Sequence, residues 1–288
     1  MKFLLKLLSL LSLLAPSLCI FPVYAEPVPT ARLAIIIDDL GNSLTQGLDA
    51  IALPGNITFA VMPHRKYSNK LAQRAGRLGK EVLLHAPMST VNHRRLGPGA
   101  LHEELNEKQL KDRLRFAIHS IPFISGVNNH MGSLLTTQRK SMSWVMEVLK
   151  EKELFFVDSR TSARSQGYEI ALTKGINSAK RDIFLDHELD IDHIHQQFKK
   201  ALNIAQKYGS AIAIGHPHES TIFYLNKVLP QLKDSGISLH RVSELLDVAG
   251  GSKGQQAVNT SLPRYANLDQ LIQRVSLASS RETQASRY

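Results

Sequence analysis

Two periodicities alternate along this chain. Short, continuous apolar runs rich in branched side chains recur at 33–38, 57–62, 81–85, 154–157, 211–215 and 237–242. Runs of this length predict strands buried on both faces, as in parallel sheets. Between them, apolar residues return every three or four positions, the spacing of a helix with one buried stripe. Helices are expected over 44–52 and 69–78. Asn106 is placed to cap another that runs to Ser120, with Leu110, Leu114, Ala117, Ile118 and Ile121 on one face. Thr137 is placed to cap a helix whose inner face is Met142, Val145, Met146 and Leu149. Asp190 or Asp192 opens one with the face Ile194, Phe198, Ala201, Leu202 and Ala205, and Gly209 closes it. A last helix is expected over 220–235, stopped by Gly236. About seven strands alternating with helices predict an α/β fold, one barrel or distorted barrel rather than two domains.

The residues that end the apolar runs are the candidate chemistry. The first run stops at Asp38-Asp39-Leu40-Gly41, the third at His85-Ala86-Pro87-Met88. Val127 leads through Asn128-Asn129 to His130-Met131-Gly132. Two more runs stop at Asp158-Ser159-Arg160 and at His216-Pro217-His218. Such residues dominate loops in any protein, which accounts for each position taken singly. Five together predict a site, because parallel strands build their active sites at their carboxyl ends. The long stretch 89–104, with His93, Arg94, Arg95, Gly97 and Gly99, is expected as a loop over that end.

The N-terminus bears on location. Lys2 and Lys6 flank a Leu/Ser stretch, and Val23-Tyr24-Ala25 has the small-residue pattern that precedes signal cleavage. Residues 1–25 are therefore expected to be a secretory signal, with export to the periplasm or beyond. A short linker is expected over 26–31, one folded domain over 32–248 and a polar, disordered tail over 249–288. Cys19 is the only cysteine and lies inside the signal, which removes disulfides and Cys-zinc chemistry from the mature chain. No other segment has the unbroken apolar length of a membrane span. The net charge of +10 fits an acidic envelope polymer, or nothing beyond solubility; no basic stripe is interleaved with aromatics, so nucleic acid is not expected.

Together, Ile35-Ile36-Ile37-Asp38-Asp39-Leu40-Gly41, Leu84-His85-Ala86-Pro87-Met88, Asn128-Asn129-His130-Met131-Gly132-Ser133, Phe156-Val157-Asp158-Ser159-Arg160-Thr161 and Ile214-Gly215-His216-Pro217 resemble the divergent polysaccharide deacetylase family. The resemblance runs from about Arg32 to Leu246. It implies a NodB-type distorted (β/α)7 barrel in a single domain. It also implies metal-dependent removal of acetyl groups from an N-acetylated polysaccharide, with peptidoglycan a candidate partner. In the better-known deacetylases an Asp pair on the first strand supplies the base and then a metal ligand, roles that Asp38 and Asp39 match. Those enzymes take two histidines from one His-x-x-x-His motif, whereas here Ser89 stands four residues after His85. His130 is the natural substitute in the ligand set, and His216 matches the late-strand general acid.

The chemistry is coherent by itself. Asp39, His85 and His130 would give a divalent ion, zinc best, three protein ligands and open positions. Asp38 would take a proton from water and His216 would give one to the departing amine. Asp158 either orients His216 or binds substrate, the first being preferred. Arg160 contacts a sugar or an acidic group, or is merely solvated. Asn128 and Asn129 either bind substrate or shape the turn before His130. The acid/His cluster Asp186, His187, Glu188, Asp190, Asp192, His193 and His195 has no compact ligand spacing and is expected at the surface, with a reservation for Asp186 because an apolar run precedes it. Two other classes stay open: a glycan-binding or envelope-assembly protein that keeps the metal site without the chemistry, and a metallophosphoesterase.

Overall fold

The computed structural model describes residues 31–247, apart from the side chains of 233–235. The expected signal, the linker up to residue 30 and the tail from 249 onward lie outside the described residues. Among the described residues nine strands form one sheet: β1 (Ala31–Leu40), β2 (Ile57–Val61), β3 (Glu81–Met88), β4 (Ile124–Met131), β5 (Phe155–Asp158), β6 (Ser178–Lys180), β7 (Ile183–Phe184), β8 (Ser210–Gly215) and β9 (Ile237–His240). Seven α-helices accompany them: α1 (Leu44–Ile51), α2 (Ser68–Arg77), α3 (Glu107–Ser120), α4 (Arg139–Glu151), α5 (Gly167–Thr173), α6 (Ile191–Tyr208) and α7 (Glu219–Val228).

The sheet runs β6-β5-β4-β3-β2-β1-β8-β7, and every strand pair in it is parallel. One edge of β1 is shared, with β9 against residues 31–34 and β2 against residues 35–40. The result is a curled, half-closed α/β barrel in a single domain, as the apolar runs predict. The strand count exceeds the expected seven because β6 and β7 are too short, at three and two residues, to show a periodicity. Helix α5, of seven residues, is a further element that the periodicity does not predict.

Local chemistry explains several helix ends. Asn106 and Gln109 form a reciprocal capping box at α3, and the Asp190 side chain accepts from His193 N at α6. Gly209 ends α6 in the left-handed conformation that a side chain would resist. Two expectations are corrected. Thr137 does not cap α4; its hydroxyl donates to Leu134 O, and Gln138 precedes the helix without a side-chain cap. The helix expected over 220–235 ends as α-helix at Val228, because Pro230 has no N–H to continue it and Leu229–Ser235 tighten into a 3₁₀ turn.

Alternation along the strands sorts the interior into two layers. Leu33, Ile35 and Ile37 join the large core between sheet and helices, with Leu84, Val127, Phe156 and Leu185. Ala34, Ile36, Ala60, Leu83, Val157, Ile212 and Ile214 point into the barrel, where Val242 packs against them from the last described turn, Val242–Leu245. Continuing the inward parity toward the strand ends reaches Asp38, His85, Asn128, His130, Asp186 and His216. Thus the apolar barrel floor carries a polar upper layer, and that layer is the candidate site. The 89–104 loop is anchored beside it: Leu101 exchanges backbone bonds with Ser89 and Pro87, and Arg65 bonds Leu96 O. Its tip, 91–95, is exposed.

Candidate metal centre and active site

Asp38 and Asp39 end β1, and they face the same cavity only because the backbone departs from strand geometry. Asp39 has φ 61°, and the register with β2 shifts between Ile37 and Leu40. Simple alternation would send Asp39 toward the helices. The left-handed turn, which Asp tolerates better than most residues, brings it round beside Asp38. His85 and His130 come from β3 and β4, where Pro87 pairs with His130 in register and Ala86 with Asn129.

Three ligand-type atoms converge. Asp39 Oδ1 lies 2.9 Å from His130 Nδ1 and 3.2 Å from His85 Nε2, and the two nitrogens are 3.2 Å apart. Despite these distances no aligned hydrogen bond reaches the buried Asp39 Oδ1. Two atoms bound at about 2.0–2.1 Å to one ion at the tetrahedral angle lie roughly 3.3 Å apart, so the triangle has the size of a first-row metal site. The donor set, one carboxylate and two imidazoles, also fits such an ion.

The neighbours of the triad are fixed. Asn128 is fully buried; its amide nitrogen donates to Asp38 Oδ1 at 2.8 Å, which leaves its oxygen to accept from His85 Nδ1 at 2.8 Å. With its Nδ1–H committed to Asn128, His85 turns Nε2 to the triad, the nitrogen that would ligate an ion. Asp38 Oδ2 stands 3.6 Å from the same Nε2. Burial pushes the Asp38 carboxyl above the usual carboxylate range, although His85, His216 and Asn128 pull the other way. Burial also acts against charge on Asp39, but the facing His130 and His85 outweigh it and hold that carboxyl far below the usual range.

On the opposite side, His216 follows β8 directly. Its Nδ1 lies 2.9 Å from Asp186 Oδ1, and Asp186 Oδ2 accepts from the His216 backbone N–H and the Thr221 hydroxyl. Burial disfavours the imidazolium, but Asp186, with Asp38 and Asp39 across the site, pushes the His216 pKa up to about 9. Gly215 makes room for this carboxylate: a Cβ there would meet Asp186 Oδ2 at 3.3 Å and Thr221 at 3.2 Å.

Three expectations are corrected here. Asp158 does not orient His216. It shares the outward parity of Phe156, and its oxygens accept from Arg160 N, Ser165 Oγ and Tyr168 N, tying the loop before α5 to the strand end. Asp186 holds His216 instead. Asn128 and Asn129 do not stand open to the cleft: Asn128 is enclosed as described, and Asn129 bonds Met131 O and Ser159 N with 1% of its surface exposed. The acid/His cluster is not uniformly superficial, since Asp186 and His195 are both buried. Asp186 stands two residues beyond Phe184, and that parity becomes a signal only once the structure shows that Phe184 faces inward. Arg160 stays exposed at the rim, its backbone carbonyl held by Arg181, whose guanidinium lies 3.8 Å over the Phe184 ring. No described helix is long and apolar enough to cross a membrane.

Comparison with known proteins agrees with this architecture. The profile of the divergent polysaccharide deacetylases matches residues 35–246. The chain is 39% identical over 204 residues to an uncharacterized protein of Haemophilus influenzae, covering 71% of this chain and 73% of that one. It is 34% identical over 239 residues to the uncharacterized protein YibQ of Escherichia coli, covering 83% and 72%. The crystal structure of the uncharacterized protein ATU2773 from Agrobacterium tumefaciens superposes with a TM-score of 0.73 at 27% identity, covering 75% of this chain and 89% of that one. The chain belongs to the divergent polysaccharide deacetylase family.

Proposed function

We propose that this family member is a metal-dependent hydrolase that removes N-acetyl groups from an envelope or extracellular polysaccharide, with peptidoglycan the first substrate to try. The observation that carries the reading is the convergence of Asp39, His85 and His130 between a second carboxylate, Asp38, and the Asp186-held His216. Asp39 Oδ1, His85 Nε2 and His130 Nδ1 would hold the ion, zinc by its donor set. When bound, a divalent ion supplies Lewis-acid polarisation of the amide carbonyl and acidifies water.

The remaining work falls to the chain's own side chains. Asp38, raised by burial yet tethered by Asn128, is the base that takes the proton of the attacking water. His216 enters the reaction protonated, because Asp186 fixes Nδ1 and leaves Nε2–H as the proton for the departing amine. Ser89, where other deacetylases carry a histidine, is replaced in the ligand set by His130 from the neighbouring strand. Arg160 at the rim is the proposed contact to a sugar hydroxyl or acidic group, which suits the basic charge of the chain. The signal-like pattern of Lys2, Lys6 and Val23-Tyr24-Ala25 supports an activity in the periplasm or outside the cell.

Acetate release from N-acetylglucosamine polymers and from peptidoglycan, with and without added zinc, tests the reading. Zinc-dependent release supports it. Tight metal-dependent binding of an acetylated glycan without release would make the chain a binding protein instead.

A further inference from the structure

Outside the proposed active site, the turn between β7 and α6 brings a second pair of imidazoles together. His187 and His193 are six residues apart, a spacing that by itself implies no contact. The turn through Leu189 and the cap at Asp190 folds His187 back over the first turn of α6. The two rings meet edge to face, with centroids 4.2 Å apart and His187 Nδ1 3.3 Å from His193 Nε2. Gln197, one turn along α6 and buried, brings its amide to 3.0 Å from the same His193 Nε2. The Glu188 carboxylate lies on the other side of both rings, 3.6 Å from His193 Nδ1 and 3.8 Å from His187 Nε2.

The near nitrogens thus converge while a carboxylate faces the far ones. At 3.6 and 3.8 Å that carboxylate is beyond hydrogen-bond reach but adds negative charge beside both rings, which favours a cation between them. The 3.3 Å separation is about the chord expected of two nitrogens on one tetrahedral ion. A cation at a helix N-terminus opposes the helix dipole, but Glu188 lies beside both rings and Asp190 and Asp192 are the cap and an acidic residue of the first turn.

We propose that His187 and His193 form a second site for a divalent transition metal, with the Gln197 amide oxygen as third donor. A half-turn of that amide presents the oxygen in place of the nitrogen. Two imidazoles and an amide oxygen select zinc, copper(II) or nickel over magnesium or calcium. The site begins one residue after Asp186, so an ion there ties the turn carrying the partner of His216 to helix α6.

The test uses the full chain bearing Asp39→Asn and His130→Ala, so that the first site does not contribute, titrated with Zn²⁺ alone and with Cu²⁺ alone. One equivalent should bind at micromolar metal, and the copper(II) EPR spectrum should show nitrogen hyperfine structure. Adding His187→Ala and His193→Ala should abolish both, with the circular dichroism spectrum unchanged. No bound equivalent, or one that survives the added substitutions, overturns the proposal. In the complementary chain, with only His187→Ala and His193→Ala, the metal count reports on the first site alone, so failure of either site is read separately.

Discussion

His216 and Asp186 are joined twice: ring Nδ1 to Oδ1 at 2.9 Å, and backbone N–H to Oδ2 at 2.6 Å. The carboxylate thereby fixes the tautomer and the position of the ring together, and Thr221 at 2.8 Å fixes the carboxylate. A histidine held this way keeps its proton well above its ordinary titration range.

Asp186→Asn should therefore move the alkaline limb of kcat/KM from about 9 toward the ordinary histidine value of 6.5. Activity should fall roughly 10–100-fold, the usual cost of losing an orienting partner. Stability should change with a defined sign. The raised His216 pKa contributes fully below 6.5 and is lost as pH rises through about 9. The Asp186 carboxyl, held below 3.8 despite burial because His216 bonds it, contributes above that value and is lost as pH falls beneath it. Urea unfolding of the two proteins across pH should show the widest gap between these limits. A pH-independent gap would sink the linkage.

Asp38→Asn and His216→Ala should each lower acetate release about 10²–10⁴-fold, the range for removing a general base or acid. Bound metal, counted by inductively coupled plasma spectrometry, should stay. Release unchanged by both substitutions would leave the fold standing and remove the mechanism.

His130→Ala should empty the triad, because two donors are left where three converge. Asn128→Ala should weaken metal binding about 10–100-fold by freeing the His85 ring. It should also cost about 1–3 kcal/mol in folding, since Asp38 Oδ1 and His85 Nδ1 lose a buried partner. Equilibrium dialysis and chemical denaturation read the two effects separately.

Asp158→Ala should behave differently from Asp186→Asn. It leaves Arg160 N, Ser165 Oγ and Tyr168 N without their acceptor, a loss of about 1–3 kcal/mol or more. The alkaline limb should not move, because Asp158 does not touch His216. A shifted limb would restore it as the orienting carboxylate.

Export should cleave the chain after Ala25, as Val23-Tyr24-Ala25 predicts. N-terminal sequencing of the exported protein reads the outcome; intact Met1 in the membrane fraction would mean a retained anchor.

How much of this was legible beforehand depends on the distance over which each feature is set. Strand runs such as 33–38, the Asn106 cap and the Gly209 stop are local matters of burial period and backbone chemistry, so the alternating α/β pattern could be read from neighbouring residues. The gathering of Asp38, Asp39, His85, His130 and His216 at one end followed from parallel strands sharing a direction. What the chain alone left open was which side of each strand a residue faces and what meets it there. Asp158 and Asp186 both follow apolar runs, but Asp158 shares parity with Phe156 and faces a helix, whereas Asp186 shares parity with Phe184 and faces the barrel. Asp39 breaks that parity through one left-handed residue, and His187 meets His193 through one turn. Period-two alternation flips a side chain from core to site with a one-residue change, and contacts between strands far apart in sequence exist only once the sheet has curled. That closure, rather than any local pattern, decided that Asn128 lies beneath the site and that Asp186, not Asp158, holds His216.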